Sequence, residues 1–447
     1  MELPVRLSGG ARTAAWPVLE LVVSVGVQVL LTPLLLHRLG PQQFGIWILA
    51  QTALLASAAL SLGASTGLLP VLSAALHAGG SGIARTALRW FYRRVALVAT
   101  GVLACAVAAL ALNAVPDAPG TTAGGTWALV LAGLAWMVAT ELDNAAAGAL
   151  KAQGRFGTAA RSEVVARLAQ LALIAALVGS GSGALEPIAL SLILTVAKYL
   201  ARLAALRRLW ALEATAPAPA APAAPPTAVE RERVLRDLAT TGLWIWAGAL
   251  GSLAFNAFDR WFVGAWFGAS TLAAYAVCIQ LTQLPHATVA AAGQVLVPWA
   301  ARQAARGAPA SNGAGPKLLA LTTAAAALPS LLLLPLLEPV LAAWISPAFA
   351  QSHLALAQGL GVAFLLLCLN VPGYFLLLGM GRARFATVLV SVSGLLFVLG
   401  ALLLPRELST FVLLKIGFAL LALGLPIGCA LLLRTPPVPA GAGPREP

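Results

Sequence analysis

The sequence predicts an all-α polytopic membrane protein of twelve transmembrane helices, arranged as two parallel six-helix bundles with the N- and C-termini both on the cytoplasmic side. Three observations carry that prediction. Of 447 residues, 60% are hydrophobic and only 10% charged, a balance that would leave a soluble fold of this size with too little polar surface. Apolar runs of roughly 20 residues, the length that crosses a ~30 Å hydrocarbon layer as a helix, recur along the whole chain. The 28 Lys and Arg residues are unevenly placed: with both termini inside, 24 fall in or nearest to inner loops and tails, and only Arg38, Arg260, Arg406 and Lys415 lie toward the outside. The formal charge of +13 therefore reads as a topology signal. Because the bases form short clusters between apolar runs, it does not point to nucleic acid.

The first apolar run, 14–36, is too long for a signal-peptide core and carries Glu20, so it is a retained first span. A short outer loop, HRLGPQQFGIW, leads to the second span, 45–69, which is followed inside by Arg85, Arg89, Arg93 and Arg94. Spans 95–115 and 127–150 bring the chain back inside at Lys151, Arg155 and Arg161, and spans 164–180 and 187–206 complete the first bundle, residues 1–210. Residues 211–237, rich in Ala and Pro with a charged end, cannot bury a core and form a cytoplasmic linker. The second bundle, 238–433, contains spans 238–264, 272–298, 318–345, 354–379, 385–404 and 408–433, with Arg302, Arg306 and Lys317 after its second span. Residues 434–447 form a disordered cytoplasmic tail. Trp16, Trp47, Trp127, Trp266, Trp299 and Trp344 cluster near span ends, as aromatic belts do. The four cysteines, Cys105, Cys278, Cys368 and Cys429, all lie in apolar runs without metal-binding spacing, so no metal site is expected.

The two bundles share landmarks at an offset of about 228 residues. Gly40 and Trp47 correspond to Gly268 and Tyr275, Pro70 to Pro298 and Gln28 to Asn256, while an offset of 227 relates Gly154-Arg155 to Gly381-Arg382. Their common order argues for an internal duplication. Six spans per half makes the repeats parallel, and transporters built this way place the substrate between the halves and alternate access to it.

Polar residues inside apolar spans mark candidate sites, since such groups face water-filled cavities or partners. Glu20, Ser24, Gln28 and Thr32, spaced by four, share a broad helix face, and their equivalents one repeat later are Gly248, Ser252, Asn256 and Arg260. Glu20, Gln28, Asn256, Asp259 and Arg260 are the candidate substrate-cavity residues. Two alternatives stay open: Glu20 lies near the inner interface, and Asp259 with Arg260 either caps the outer end of its helix or sits in the outer third of a long tilted one. Glu141, Asn144 and Lys198 are candidates for a cytoplasmic vestibule, Glu141 and Asn144 sharing a face while Asp143 points elsewhere. Lys198 is also near enough to the inner end to snorkel. Glu338, between Pro335 and Pro339, sits where a broken helix would expose backbone, and His286 reads as a hydrogen-bonded packing residue.

The first-loop LGPQQFGIW after a polar first helix, the pattern Asp-Arg-x-x-x-Gly ending in GASTLAAYAV, and the GRF-like turn after the fourth span together resemble Wzx-type flippases for lipid-linked oligosaccharides. These belong to the MOP superfamily, which also holds the MATE drug exporters. The resemblance covers nearly the whole chain. It implies a MATE/MOP-like fold and translocation of an undecaprenyl-diphosphate-linked O-antigen or other glycan across a bacterial inner membrane by alternating access, in polysaccharide and lipopolysaccharide biosynthesis. It also implies a polysaccharide polymerase or ligase as partner and no cofactor, the flipping being either passive or coupled to H+ or Na+, with Asp259 or Glu20 as the coupling acid in the second case. Arg260 suits the anionic diphosphate, and Asp259 would pair with it or serve the ion. Such flippases are expected to carry several cavity bases, and here Arg38, Arg167 and Lys198 are more peripheral than Arg260. A MATE-like cation-coupled drug exporter is the alternative, with an acidic and aromatic cavity. A major-facilitator carrier is disfavoured because HAGGSGIARTALRWFYRR has no acid. An enzyme is disfavoured because the loops are short and the four His residues scattered.

Overall fold

A computed structural model describes residues 7–55, 81–111, 123–215, 250–293, 314–380 and 382–434, with the single positions 232, 247, 248, 296, 297 and 300. Apart from Glu232, residues 216–237 of the expected linker lie outside the described residues, as do the expected tail from 435 onward and the expected span ends at 56–69, 112–115 and 238–246. Among the described residues every regular element is helical. Seven helices are long and apolar enough to cross a membrane. The residues fall into two compact units, the first being Met1–Ala249 with Phe267–Ala273 and the second Leu250–Trp266 with Ala274–Pro447.

In the first unit, α1 (Leu7–Leu55) joins the first two expected spans into one continuous element broken at Gly40, whose φ of 75° and ψ of 165° are not helical. Only glycine enters that region without a Cβ penalty, so the break belongs to that residue. Then come α2 (Ser81–Ala111), α3 (Ala123–Ala152), α4 (Phe156–Leu177) and α5 (Leu185–Thr215). The last helix runs five residues past the expected start of the linker. Close packing of α2, α3 and α5 rests on small residues: Ala145, Ala146 and Ala149 are buried in one cluster with Phe91, Val95 and Leu206. Without water to drive association, small residues let helix backbones approach. Large apolar side chains point the other way, Leu97 being 74% and Val165 65% exposed. In water such residues would be a liability; against lipid tails they are at home.

The second unit opens on a π-helical turn, Ala254–Phe258, that runs into α6 (Asp259–Phe267). Gly268, in the short stretch that belongs to the first unit, has a φ of 84° and turns the chain into α7 (Ala269–Gly293), which is part of the second unit from Ala274. Next come α8 (Ala314–Leu333), a 3-10 turn at Leu334–Leu336 and α9 (Leu337–Trp344). The expected break between Pro335 and Pro339 is thus present, and Glu338 is exposed. Proline supplies the reason, because it removes an amide donor from the helix ladder. Ser346 caps α10 (Pro347–Gly379) by accepting from the Phe349 amide at 3.2 Å. The unit ends with α11 (Ala383–Leu403), α12 (Leu408–Ala422) and α13 (Gly424–Arg434), so the expected span 408–433 is two helices meeting at Leu423.

The duplication read from the sequence has local structural counterparts. Gly40 and Gly268 both take positive φ and both separate two helices. At the turn after α3 in the first unit the Arg155 amide donates to the Leu150 carbonyl at 2.9 Å, and at the corresponding turn after α10 in the second the Arg382 amide donates to the Leu377 carbonyl at 2.9 Å. These bonds join residues 227 positions apart in the two halves. Gly381 itself and Pro70 and Pro298 lie outside the described residues.

Candidate functional site

The polar residues of the opening helix of the second unit divide between a charge cluster and a cavity. Asp259 is fully buried, and Lys415 of α12 places its ammonium 2.9 Å from the carboxylate with only 1% of its side chain exposed. The Tyr275 hydroxyl donates to the same Asp259 oxygen at 2.8 Å. Lys415 also donates to the Phe255 carbonyl, within the π-helical turn, and its ammonium lies 3.7 Å from the Phe255 ring centre. π-Helical turns inside α-helices concentrate at functional positions. This one delivers a carbonyl and an aromatic face to a buried cation. The hydrogen-bonded and ion-paired partners of the Asp259 carboxylate are thus Tyr275 and Lys415. Arg260 instead donates to the Gln283 side-chain oxygen at 3.3 Å, and its Nε has no acceptor among the described residues.

Lys415, which the sequence reading counted only as a topology marker, is buried. A lone lysine seven residues into α12, in a span of mean hydropathy 2.4, was the available signal, because an ionisable group at such a place needs a partner.

Ser252 and Asn256 line a cavity of about 220 Å3 within the second unit. The Asn256 amide donates to the Ser252 carbonyl at 2.9 Å, and the residue is exposed. The other walls come from α7, α10, α11, α12 and α13, so five of the unit's expected spans contribute. His286 lines the cavity and has its ring 6.1 Å from that of Phe364. Asn370, which the sequence reading passed over, is 4% exposed and also lines the space.

The first unit holds a larger ionic network. Lys198 of α5 lies 2.9 Å from Asp143 of α3 and 2.6 Å from Glu163 of α4, and Arg202 of α5 lies 2.6 Å and 3.2 Å from the same two carboxylates. Arg202 is further fixed by the Ser162 hydroxyl at 2.7 Å and the Ala159 carbonyl at 2.9 Å. Arg167 adds contacts of 3.0 Å to Glu163 and 3.2 Å to Gln170, and Gln170 donates to Ser191 at 2.7 Å. The arrangement ties three helices together with alternating charges, each satisfied by at least two partners. Lys198 is thus an ion-pair member, 11% exposed, and does not snorkel freely. The acid that meets it is Asp143, the residue expected to point elsewhere. Glu141 is fully buried and Asn144 exposed, so those two do not form a common exposed face.

The remaining candidates are close to structural anchors. Glu20 lies 3.5 Å from Lys151, and the Gln28 amide donates to Gln51 at 3.2 Å. Arg38 donates to the Ala175 carbonyl at 2.7 Å and to that of Val178, fastening the end of α4. Among the described residues no group of His, Cys, Asp and Glu could hold a metal ion.

No family model matches the chain, and no curated protein matches it in sequence. Solved structures do match over nearly the whole length. An inward-facing multidrug resistance MATE family transporter of the MOP superfamily shares 11% identity, with 93% of this chain and 94% of that one covered at a TM-score of 0.66. The lipid II flippase MurJ, in an inward closed conformation, shares 11% identity, covering 95% and 86% at a TM-score of 0.65. A MOP superfamily transporter from Pyrococcus furiosus, whose binding pocket is described as reversed in polarity, shares 14% identity, covering 94% and 95% at 0.63. At such identities the likeness is one of fold. The chain is a multi-pass membrane protein with the all-helical fold that the MATE transporters and the lipid II flippase share.

Proposed function

We propose that the protein is a flippase that carries an undecaprenyl-diphosphate-linked oligosaccharide across the bacterial inner membrane by alternating access, supplying glycan for polysaccharide or lipopolysaccharide assembly. In this reading the chain crosses the membrane twelve times with both termini inside, and a polymerase or ligase takes the glycan on the far side. The observation that carries it is the charge balance around Asp259. Lys415 already neutralises that carboxylate at 2.9 Å, which leaves Arg260 as a surplus cation held by a neutral glutamine. A guanidinium with an unused donor inside an apolar span suits a diphosphate, whose charge must be met as its water is reduced. It does not suit a cationic drug. A fold solved in inward-facing and outward-facing forms for MATE transporters supports alternating access, and H+ or Na+ is the proposed coupling ion.

In cells lacking the protein, plasmid-borne wild type restores glycan export, Arg260→Ala reaches the membrane without restoring it, and Arg260→Lys restores part. Normal export by Arg260→Ala at normal abundance removes Arg260 from the proposal. The drug-exporter reading draws on a different observation, the aromatic cavity lined by Phe255, Phe375 and Phe418. It predicts sensitivity to organic cations in the same deleted cells.

A further inference from the structure

The cavity of the second unit differs in chemistry from the charge cluster beside it. Its lining residues carry no acid and no Lys or Arg; its polar members are Ser252, Asn256, His286, Asn370 and Tyr374, set among Phe255, Phe375 and Phe418. A diphosphate would find no countercharge there. The orientation of Asn370 is fixed by its own hydrogen bond, because its amide nitrogen donates to the Ala419 carbonyl at 3.1 Å. That leaves the amide oxygen, buried and without a partner among the described residues, at the cavity wall. An unmet acceptor at such depth is costly, and a hydroxyl donor from a ligand would recover that cost. A lipid chain offers no such donor. Aromatic rings alternating with amide and imidazole groups, with no acid, Lys or Arg among them, suit a ligand with an apolar face and a rim of hydroxyls.

We propose that this cavity is a sugar subsite: a neutral pyranose ring lies against the partly exposed Tyr374 and Phe375 side, one hydroxyl donates to the Asn370 amide oxygen, and Asn256 and His286 meet others at the rim. The inference deepens the flippase reading, on which it rests for the identity of the cargo, by assigning the glycan and the diphosphate to separate places: the sugar to this cavity, the phosphates to the neighbourhood of Arg260.

The test reads occupancy without requiring transport. Ala290, on the cavity wall, is small and partly exposed. The full-length Ala290→Cys variant is reconstituted in nanodiscs and labelled with a maleimide in the presence of octyl β-D-glucoside, octyl phosphate or 1-octanol. The subsite predicts that the glucoside slows labelling while the other two, with the same chain, do not. Asn370→Leu in that background weakens protection by the glucoside roughly fivefold, the loss of one buried hydrogen bond. Equal protection by 1-octanol would make the cavity a site for an alkyl chain, protection by octyl phosphate would make it an anion site, and an unprotected cysteine would leave no sugar there; each overturns the proposal. The flippase reading fails separately, by lack of glycan export in the deletion strain, so a protected cysteine with no export leaves a sugar site in a protein of other function.

Discussion

Replacing Lys415 with Met removes an ammonium 2.9 Å from a carboxylate when neither side chain is more than 1% exposed. Water cannot take the vacated place at that burial. Removing one member of such a pair costs about 3–5 kcal/mol, because the other stays behind as an unmatched charge, whereas replacing both members is close to neutral. Tyr275 continues to donate to Asp259 in the variant, so its bond cancels from the difference, and the other Asp259 oxygen has no partner in the wild type either. The expected loss for Lys415→Met is therefore the whole range, about 3–5 kcal/mol. Asp259→Asn preserves shape and the tyrosine bond, and the double variant should recover to within about 1 kcal/mol of wild type. The four proteins are compared by SDS-driven equilibrium unfolding in mixed micelles, which gives the coupling free energy from the cycle. A coupling below about 1 kcal/mol, the level of an exposed ion pair, would refute the reasoning.

The ionic network of the first unit predicts that Arg202→Met lowers stability by about 3 kcal/mol, since Asp143 and Glu163 both lose a buried guanidinium; Arg202→Lys, unable to reach two carboxylates, Ser162 and a carbonyl together, recovers less than half in the same unfolding assay. Gly40→Ala and Gly268→Ala should each cost about 1–2 kcal/mol through backbone strain alone, because an added Cβ meets nothing within 4 Å at either place. Gly26→Ala is the control: its space is equally open but its φ is helical, so the change should be neutral or stabilising.

The helices and their breaks were legible because lipid imposes a simple code: long apolar runs, glycine where the chain turns, basic residues at one side. Gly40 and Gly268 could be picked out from their common offset, and their positive φ follows from having no Cβ. Which polar side chains meet was much less legible. Asp259 and Arg260 stand out in an apolar run, yet the partner that decides their roles is Lys415, on a helix far along the chain, and periodicity says nothing of pairing across such a distance. Asp143 was set aside on the same ground: helical spacing groups residues by face without saying which face is turned toward α5. Glu163 lies one residue outside the expected span 164–180, where an acid does not stand out from a loop. Asn370, beside Pro372 in an otherwise apolar run, carried a signal of the kind that exposed Asp259, but it has no charge to draw attention.

The central claim is that Arg260, freed by the Lys415–Asp259 pair, receives an anionic lipid head group. The most direct measurement is flipping in proteoliposomes of a fluorescent undecaprenyl-diphosphate oligosaccharide beside the same oligosaccharide on a neutral lipid of equal length, by wild type and Arg260→Ala. The account predicts that wild type moves the diphosphate-linked form much faster than the neutral one and that Arg260→Ala abolishes the difference. Equal flipping of both lipids by wild type, or an unchanged preference in Arg260→Ala, would contradict it.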